Sequence, residues 1–97
     1  MRVVLVTYDV STESAAGRKR LRRIARVCKD FGERVQKSVF ECQVDNAAYA
    51  KLEERLLKEI SLAEDNLRIY NLPSPIESNL KEFGKFRRTD FTGPLVL

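Results

Sequence analysis

The sequence predicts an α+β domain in which strands and helices follow one another in the order βαββαβ. Three observations predict this order. The chain opens on a β-branched apolar run, two segments carry apolar residues at helical spacing, and the remaining apolar segments alternate as strands do. With 97 residues, 43% of them hydrophobic, the chain suits a single domain over residues 1–97 with one core.

The first strand is predicted at Val3 to Tyr8, because a short β-branched run followed by polar residues is typical of a buried strand. Ser11 or Thr12 is expected to cap a helix that runs to about Phe31 and stops at Gly32. One face of this helix is apolar and is expected to meet the core; it carries Leu21, Ile24, Cys28 and Phe31. Another face carries the cations Arg22, Arg26 and Lys29.

The segment from Arg34 to Asp45 alternates apolar and polar residues, but its phase shifts by one residue at Ser38 and Val39. It is therefore either one bent or bulged strand or two strands in a tight hairpin. Asp45 is expected to cap a second helix that runs to about Ile60. The core face of that helix is expected to hold Tyr49, Leu52, Leu56 and Ile60.

A further strand, "NLRIYNL" at 66–72, is expected to end at the "PSP" of 73–75. The core thus covers about residues 2–72, and an extension covers about 73–97. In the extension, "IESNLKEFG" suggests a short helix ending at Gly84, and "GPLVL" a final strand. A ferredoxin-like βαββαβ domain, with two helices on one face of a small antiparallel sheet, accommodates this order best.

Composition excludes several kinds of chemistry. The chain contains no histidine, so it offers neither imidazole zinc ligands nor a Ser-His or Cys-His nucleophile pair. Cys28 and Cys42 form no Cys-x-x-Cys motif, and we interpret both as small buried residues. No export signal or membrane-spanning run is visible, which predicts a cytoplasmic protein that does not bind membranes.

Positive charge is concentrated in one stretch. The net charge is +4, yet residues 1–44 hold ten Lys/Arg against five Asp/Glu, and "GRKRLRRIAR" contains most of this excess. A cluster of this kind is either a solvated helix face or a binding surface for a polyanion. Lys81, Lys85, Arg87 and Arg88 form a second basic group.

Asp9 ends the predicted first strand and has two interpretations. It is either a turn aspartate that bonds nearby backbone or a ligand for a hard cation such as Mg²⁺. One carboxylate makes a poor metal site by itself, but a symmetric dimer that joins two copies of Asp9 would supply a second.

Several motifs together resemble the CRISPR-associated protein 2 family, the smaller of the two proteins universal to CRISPR adaptation. These are "VVLVTYDVS", "GRKRLRRIARVCKDFG", "RVQKSVFEC" and "LRIYNL", in this order over about residues 2–72. The ending "TDFTGPLVL" resembles the C-terminal tail of one branch of the family. The resemblance implies a ferredoxin-like homodimer that binds RNA or DNA and acts with the integrase partner to acquire new spacers.

The resemblance also implies roles for individual residues. Asp9 becomes the catalytic residue and the Mg²⁺ ligand of an endonuclease, placed near the dimer axis. Tyr8, Ser38 and Phe40 are possible neighbours of that site, although alternation along the strand favours a packing role for Tyr8, and Phe40 suits the core or the dimer interface. Candidates for nucleic-acid contacts are Arg18, Lys19, Arg20, Arg22, Arg23, Arg26 and Arg34.

Three functions of different classes follow. The first is a magnesium-dependent nuclease that uses paired Asp9 carboxylates. The second is a non-catalytic DNA-binding scaffold of the adaptation complex, which would tolerate Asp9→Asn. The third is a small-molecule regulatory domain on the same fold, which the basic helix and the family motifs disfavour.

Overall fold

The computed structural model describes residues 1–85. Four strands and two helices alternate along the chain: β1 (Arg2–Asp9), α1 (Ala15–Phe31), β2 (Gly32–Gln36), β3 (Val39–Val44), α2 (Asn46–Glu59) and β4 (Asn66–Leu72). The strands form one antiparallel sheet in the order β2-β3-β1-β4. The predicted ferredoxin-like arrangement is therefore confirmed. Neither helix within residues 1–85 has the length and apolar character needed to cross a membrane.

Both helices pack on the same face of the sheet. Along β1, Val4, Val6 and Tyr8 are buried, and they join Ile24 of α1 and Leu52 of α2 in one core. The opposite face, called the outer face below, is covered by neither helix. It carries Leu5, Thr7 and Asp9 of β1 with their cross-strand neighbours, which include Val39, Glu41, Asn66, Arg68 and Tyr70.

Helix α1 begins later than the sequence predicted. Its N-cap is Ser14, whose hydroxyl accepts a 3.0 Å hydrogen bond from the Gly17 N–H, and neither Ser11 nor Thr12 has this role. Ser11 instead donates its N–H to the Asp65 carboxylate at 3.1 Å, which keeps the loop extended across the first helical turn. Gly17 permits this crossing, because a Cβ there would lie 1.9 Å from the Ser11 carbonyl oxygen.

The alternatives for residues 34–45 resolve as a hairpin. Strands β2 and β3 are joined at Lys37 and Ser38, and the register shifts between Arg34 and Gln36. Helix α1 ends at Phe31 and is capped by Gly32, as predicted. A Cβ on Gly32 would lie 2.0 Å from the Glu41 carbonyl oxygen, so close packing of backbone against backbone requires glycine there.

The second half of the chain follows the prediction until Leu72. Asp45 caps α2 by accepting the Ala48 N–H at 2.8 Å, and β4 has the predicted bounds. The helix expected to reach Gly84 is wrong in extent, because only a single 3-10 turn forms at Ile76–Ser78. The Asn79 side-chain amide donates to the carbonyl oxygens of Pro73 and Pro75, which closes this turn. The predicted strand "GPLVL" lies outside the described residues.

Candidate functional site

Asp9 is the last residue of β1 and lies on the outer face of the sheet. Its backbone is in register with Asn66, the first residue of β4, so the sheet extends to this position on one side. The Asp9 side chain is exposed, and within residues 1–85 its carboxylate forms no hydrogen bond or ion pair. Since Asp9 bonds no turn backbone, this carboxylate is available to a ligand.

The donor set around Asp9 suits Mg²⁺ chemically but is small. A carboxylate oxygen is the hard ligand that Mg²⁺ prefers, and Mg²⁺ commonly completes its shell with water and substrate oxygens. No group of three or more His, Cys, Asp or Glu residues within residues 1–85 is arranged to hold a metal. A metal at Asp9 would therefore need oxygen atoms from water, from substrate or from a second copy of the chain.

Tyr8 lies on the opposite side of the sheet from Asp9. Its side chain is buried with 6% exposed, and its ring stacks on Phe40 with a centroid distance of 6.2 Å. The hydroxyl lies 3.5 Å from the Lys37 carbonyl oxygen, at the rim of the core. Burial raises the pKa of Tyr8, and a hydrogen bond with Arg34 opposes this shift. Tyr8 thus packs in the core, on the face of the sheet opposite the Asp9 side chain.

Phe40 and Ser38 also support the core side of the sheet. Phe40 is fully buried, and the Arg34 guanidinium lies 5.1 Å above its ring centroid in a cation–π contact. The Ser38 carbonyl oxygen accepts the Tyr8 N–H at 3.1 Å, so this residue fixes the hairpin against the end of β1. Phe40 is therefore not a stacking platform for bases, and the backbone of Ser38 has the structural role.

Six of the seven predicted nucleic-acid contacts separate into two groups, and Lys19 belongs to neither. The first group is engaged within the protein. Arg20 contacts Asp65 at 2.9 Å and Glu64 at 3.1 Å, Arg23 approaches Glu59 at 3.9 Å, and Arg18 donates to the Thr12 carbonyl oxygen at 3.1 Å. Lys19 is exposed in the first turns of α1.

The second group lines a groove between α1 and the β2–β3 hairpin, on the helix side of the sheet. The groove has a volume of about 620 Å³, and Tyr8 and Ser38 contribute to its wall. We call it the basic groove; its cations are Arg22, Arg26, Lys29, Arg34 and Lys37. Within residues 1–85 no Asp or Glu lines it. Lys29 and Lys37 were not predicted as nucleic-acid contacts. Helical spacing does place Lys29 on the same face of α1 as Arg22 and Arg26, so the sequence carried a signal for Lys29.

The second basic group contributes less to the described structure. Lys81 and Lys85 are exposed on a segment that borders the outer face beside Leu5 and Val39. Arg87 and Arg88 lie outside the described residues. The outer face and the basic groove thus form two separate surfaces, one with the Asp9 carboxylate and one with a concentration of cations.

Comparison with known proteins identifies the family of this fold. A protein-family model described as CRISPR associated protein Cas2 matches residues 1–79. The chain belongs to the Cas2 family. The match spans β1 to the turn after β4 and so includes Asp9, the arginine-rich helix and the hairpin. The resemblance drawn from the sequence motifs is confirmed.

Relatives named as nucleases match nearly the whole chain. A protein of Moorella thermoacetica named CRISPR-associated endoribonuclease Cas2 1 is 55% identical over 97% of this chain and 98% of its own length. The CRISPR-associated endoribonuclease Cas2 of Chlorobaculum tepidum is 50% identical over 98% and 99%. The CRISPR-associated endonuclease Cas2 of Halalkalibacterium halodurans is 42% identical over 97% and 98%. Relatives of this chain are thus named for RNA cleavage or for nucleic-acid cleavage in general.

Solved structures agree with the fold. The crystal structure of Streptococcus pyogenes Cas2 at pH 6.5 superposes with a TM-score of 0.75 at 46% identity, over 84% of this chain and 99% of that one. A chain of a partial Cas6-RT-Cas1–Cas2 complex superposes with a TM-score of 0.70 at 25% identity, over the full length of both. The second likeness relates this Cas2 chain to a protein that assembles with a Cas1 component.

Proposed function

We propose that this Cas2 chain acts in CRISPR spacer acquisition as a homodimer that binds nucleic acid, and that it hydrolyses phosphodiester bonds with Asp9 of each protomer and Mg²⁺. The observation that supports hydrolysis most directly is the Asp9 carboxylate, exposed at the end of β1 and free of protein partners within residues 1–85. Relatives that cover nearly the whole chain are named endoribonuclease or endonuclease.

The homodimer is supported by the outer face of the sheet. Leu5 of β1 and Val39 of β3 are diagonal neighbours on this face and remain partly exposed, and Tyr70 is 44% exposed. Pairing this face with a second copy would remove apolar surface from water, at about 25 cal/mol for each Å². A two-fold interface uses the same surface on both partners, so it brings the two Asp9 residues toward one axis.

The chemistry proposed for Asp9 requires no histidine. Mg²⁺ held by the two Asp9 carboxylates would supply positive charge that offsets their repulsion, would polarise a phosphoryl oxygen and would lower the pKa of a water molecule. The role of the protein is to hold the Asp9 carboxylate oxygens at a fixed position. The antiparallel register of β1 with β4 holds the Asp9 backbone, and burial of the neighbouring Tyr8 side chain fixes the end of the strand.

A second candidate function is a scaffold that binds DNA for the integrase and does not cut it. The specific observation that favours it is the small donor set, since no metal-binding cluster of three acidic or thiol groups forms within residues 1–85. The likeness to a chain of a Cas1–Cas2 complex agrees with either function, because both place the protein beside the integrase.

Cleavage assays separate the two functions. Labelled single-stranded RNA and duplex DNA are incubated with the wild type or with Asp9→Asn, in Mg²⁺ or in chelator. Glu13→Gln is the matched control, because Glu13 is an exposed carboxylate in the loop that follows Asp9. The nuclease proposal expects cleavage that needs Mg²⁺, is retained in the control and falls at least a hundredfold in Asp9→Asn. If the wild type binds nucleic acid but does not cleave it, the nuclease proposal is contradicted and the scaffold function is favoured.

A further inference from the structure

The basic groove and Asp9 lie on opposite sides of the same sheet. The groove is bounded by α1 and the hairpin on the helix side, whereas Asp9 lies on the outer face. A phosphate bound in the groove and the Asp9 carboxylate of the same protomer therefore lie on opposite faces of the sheet.

The cations of the groove are available for a ligand. Arg22, Arg26 and Lys29 are exposed, and within residues 1–85 they form no ion pair. Arg34 is held in place by its contact with the Phe40 ring at 5.1 Å. Five like charges around one groove repel one another, and a polyanion would relieve this repulsion.

The spacing of these cations fits a chain of phosphates better than a single small anion. Arg22, Arg26 and Lys29 follow one another at intervals of four and three residues, so they form a row along one face of α1. The row extends about 10 Å along the helix axis at about 1.5 Å per residue. One strand of DNA carries a phosphate about every 3.4 Å along its axis, so the row matches about three nucleotides.

Arginine also suits this ligand chemically. A guanidinium presents a planar fork of donors that matches two phosphate oxygens at once, and three of the five cations are arginines. We propose that the basic groove binds the sugar-phosphate backbone of one nucleic-acid strand over about three nucleotides, on the side of the sheet opposite Asp9. The inference rests on the proposed binding of nucleic acid and assigns it to a surface.

The proposal predicts different effects for neighbouring arginines. Arg22 and Arg26 contact the sugar-phosphate backbone of the nucleic acid, whereas Arg20 stabilises the protein through ion pairs with Asp65 and Glu64. Phosphate contacts of this kind do not read base sequence, so affinity depends on salt and not on the sequence of the strand. The groove thus holds nucleic acid in position while a different surface carries the carboxylate.

Fluorescence anisotropy with a short labelled DNA duplex tests the groove. Arg22→Gln with Arg26→Gln removes two groove cations, and Lys51→Gln with Lys58→Gln removes two exposed cations of α2 as the matched control. The slope of log affinity against log salt should decrease by about 0.9 for each lost phosphate contact. We expect a decrease near two per bound protomer in the groove variant and none in the control. Equal slopes in both variants would overturn the proposal.

Crosslinking gives a second readout that needs only one substitution. Burial raises the pKa of Cys28 to about 12 and of Cys42 to about 11, so neither thiol reacts readily with an alkylating label. An azidophenacyl label on Lys37→Cys should crosslink to the duplex after illumination. The same label on Lys51→Cys should not, and crosslinking from Lys51→Cys alone would overturn the proposal.

The possible failures are distinguishable. If the wild type binds neither duplex DNA nor single-stranded RNA, then the proposed function and the groove both fail. If the wild type binds, but the groove variant keeps the wild-type salt slope and labelled Lys37→Cys forms no crosslink, only the groove assignment fails. Polyglutamate added before illumination is compared with unlabelled DNA as a competitor. If polyglutamate prevents the crosslink and unlabelled DNA does not, the groove binds an acidic protein segment instead, and the proposal is overturned.

Discussion

Arg20 and Asp65 join two parts of the chain that are 45 residues apart. The Arg20 Nε donates a 2.9 Å hydrogen bond to Asp65, whose side chain is fully buried. Asp65 also accepts the backbone N–H groups of Ser11 at 3.1 Å and Ser61 at 2.9 Å. One carboxylate therefore holds the loop after Asp9, the helix α1 and the entry to β4 together.

Loss of this ion pair should destabilise the protein more than loss of a surface pair. Asp65→Asn leaves the guanidinium of Arg20, whose side chain is 18% exposed, without its main partner, and breaking a buried pair is strongly destabilising. We expect the midpoint of thermal unfolding to fall by about 10 °C. Arg23→Gln is the control, because the pair with Glu59 is long at 3.9 Å and partly exposed. Equal shifts in both variants would contradict the structural role of Asp65.

The same carboxylate should make stability depend on acid. The hydrogen bond from Arg20 holds the pKa of Asp65 below its ordinary value. A carboxyl whose folded pKa is depressed stabilises the fold above its unfolded pKa and loses this contribution as the pH falls. Denaturant unfolding below about pH 4 should therefore show a steeper loss of free energy of unfolding in the wild type than in Asp65→Asn. Parallel pH profiles would contradict this assignment.

Gly17 should tolerate no side chain. A Cβ at this position would lie 1.9 Å from the Ser11 carbonyl oxygen, and backbone cannot move aside as a flexible side chain can. Gly17→Ala should cost about 2 kcal/mol of unfolding free energy, although alanine favours helices. The neighbouring exposed substitution Ala16→Ser should change stability by less than about 0.5 kcal/mol. A stabilised Gly17→Ala, measured by urea unfolding, would show that the loop does not cross the helix here.

A charge on the outer face should abolish the proposed homodimer. Val39 lies opposite Thr7 on this face, so Val39→Asp would bury two like charges near the two-fold axis. Light scattering after size exclusion should report a monomer with unchanged circular dichroism. Leu57→Asp is the control, because Leu57 is an apolar residue of α2 that is 51% exposed, and this variant should remain dimeric. A dimeric Val39→Asp would place the interface elsewhere.

The helices and strands could be predicted because the apolar residues of each recur at a regular spacing in the sequence. Alternation in β1 separates Tyr8 from Asp9, and helical spacing separates Ile24 and Cys28 from the cations of α1. The strand β4 and the Asp45 cap also follow from local residues alone. These features are local, so tertiary contacts do not override them.

The features that sequence did not predict depend on contacts between distant residues. Ser11 is a good cap, yet its N–H bonds Asp65, and α1 starts at Ser14 instead. Arg20 is one of many arginines in the sequence, and its contacts with Asp65 and Glu64 distinguish it from Arg22. The basic groove forms where α1 meets the hairpin, so the contribution of Lys37 has no signal within its own segment.

The most direct test of the central proposal is the number of divalent cations bound for each pair of chains. Mn²⁺, as a substitute for Mg²⁺, is titrated into the wild type and into Asp9→Asn with duplex DNA present. Electron paramagnetic resonance measures the amount of bound Mn²⁺ at each step. A metal shared by the two Asp9 residues predicts one Asp9-dependent cation for every two chains and the loss of this cation in Asp9→Asn. Identical binding curves for the two proteins would contradict a shared metal site at Asp9.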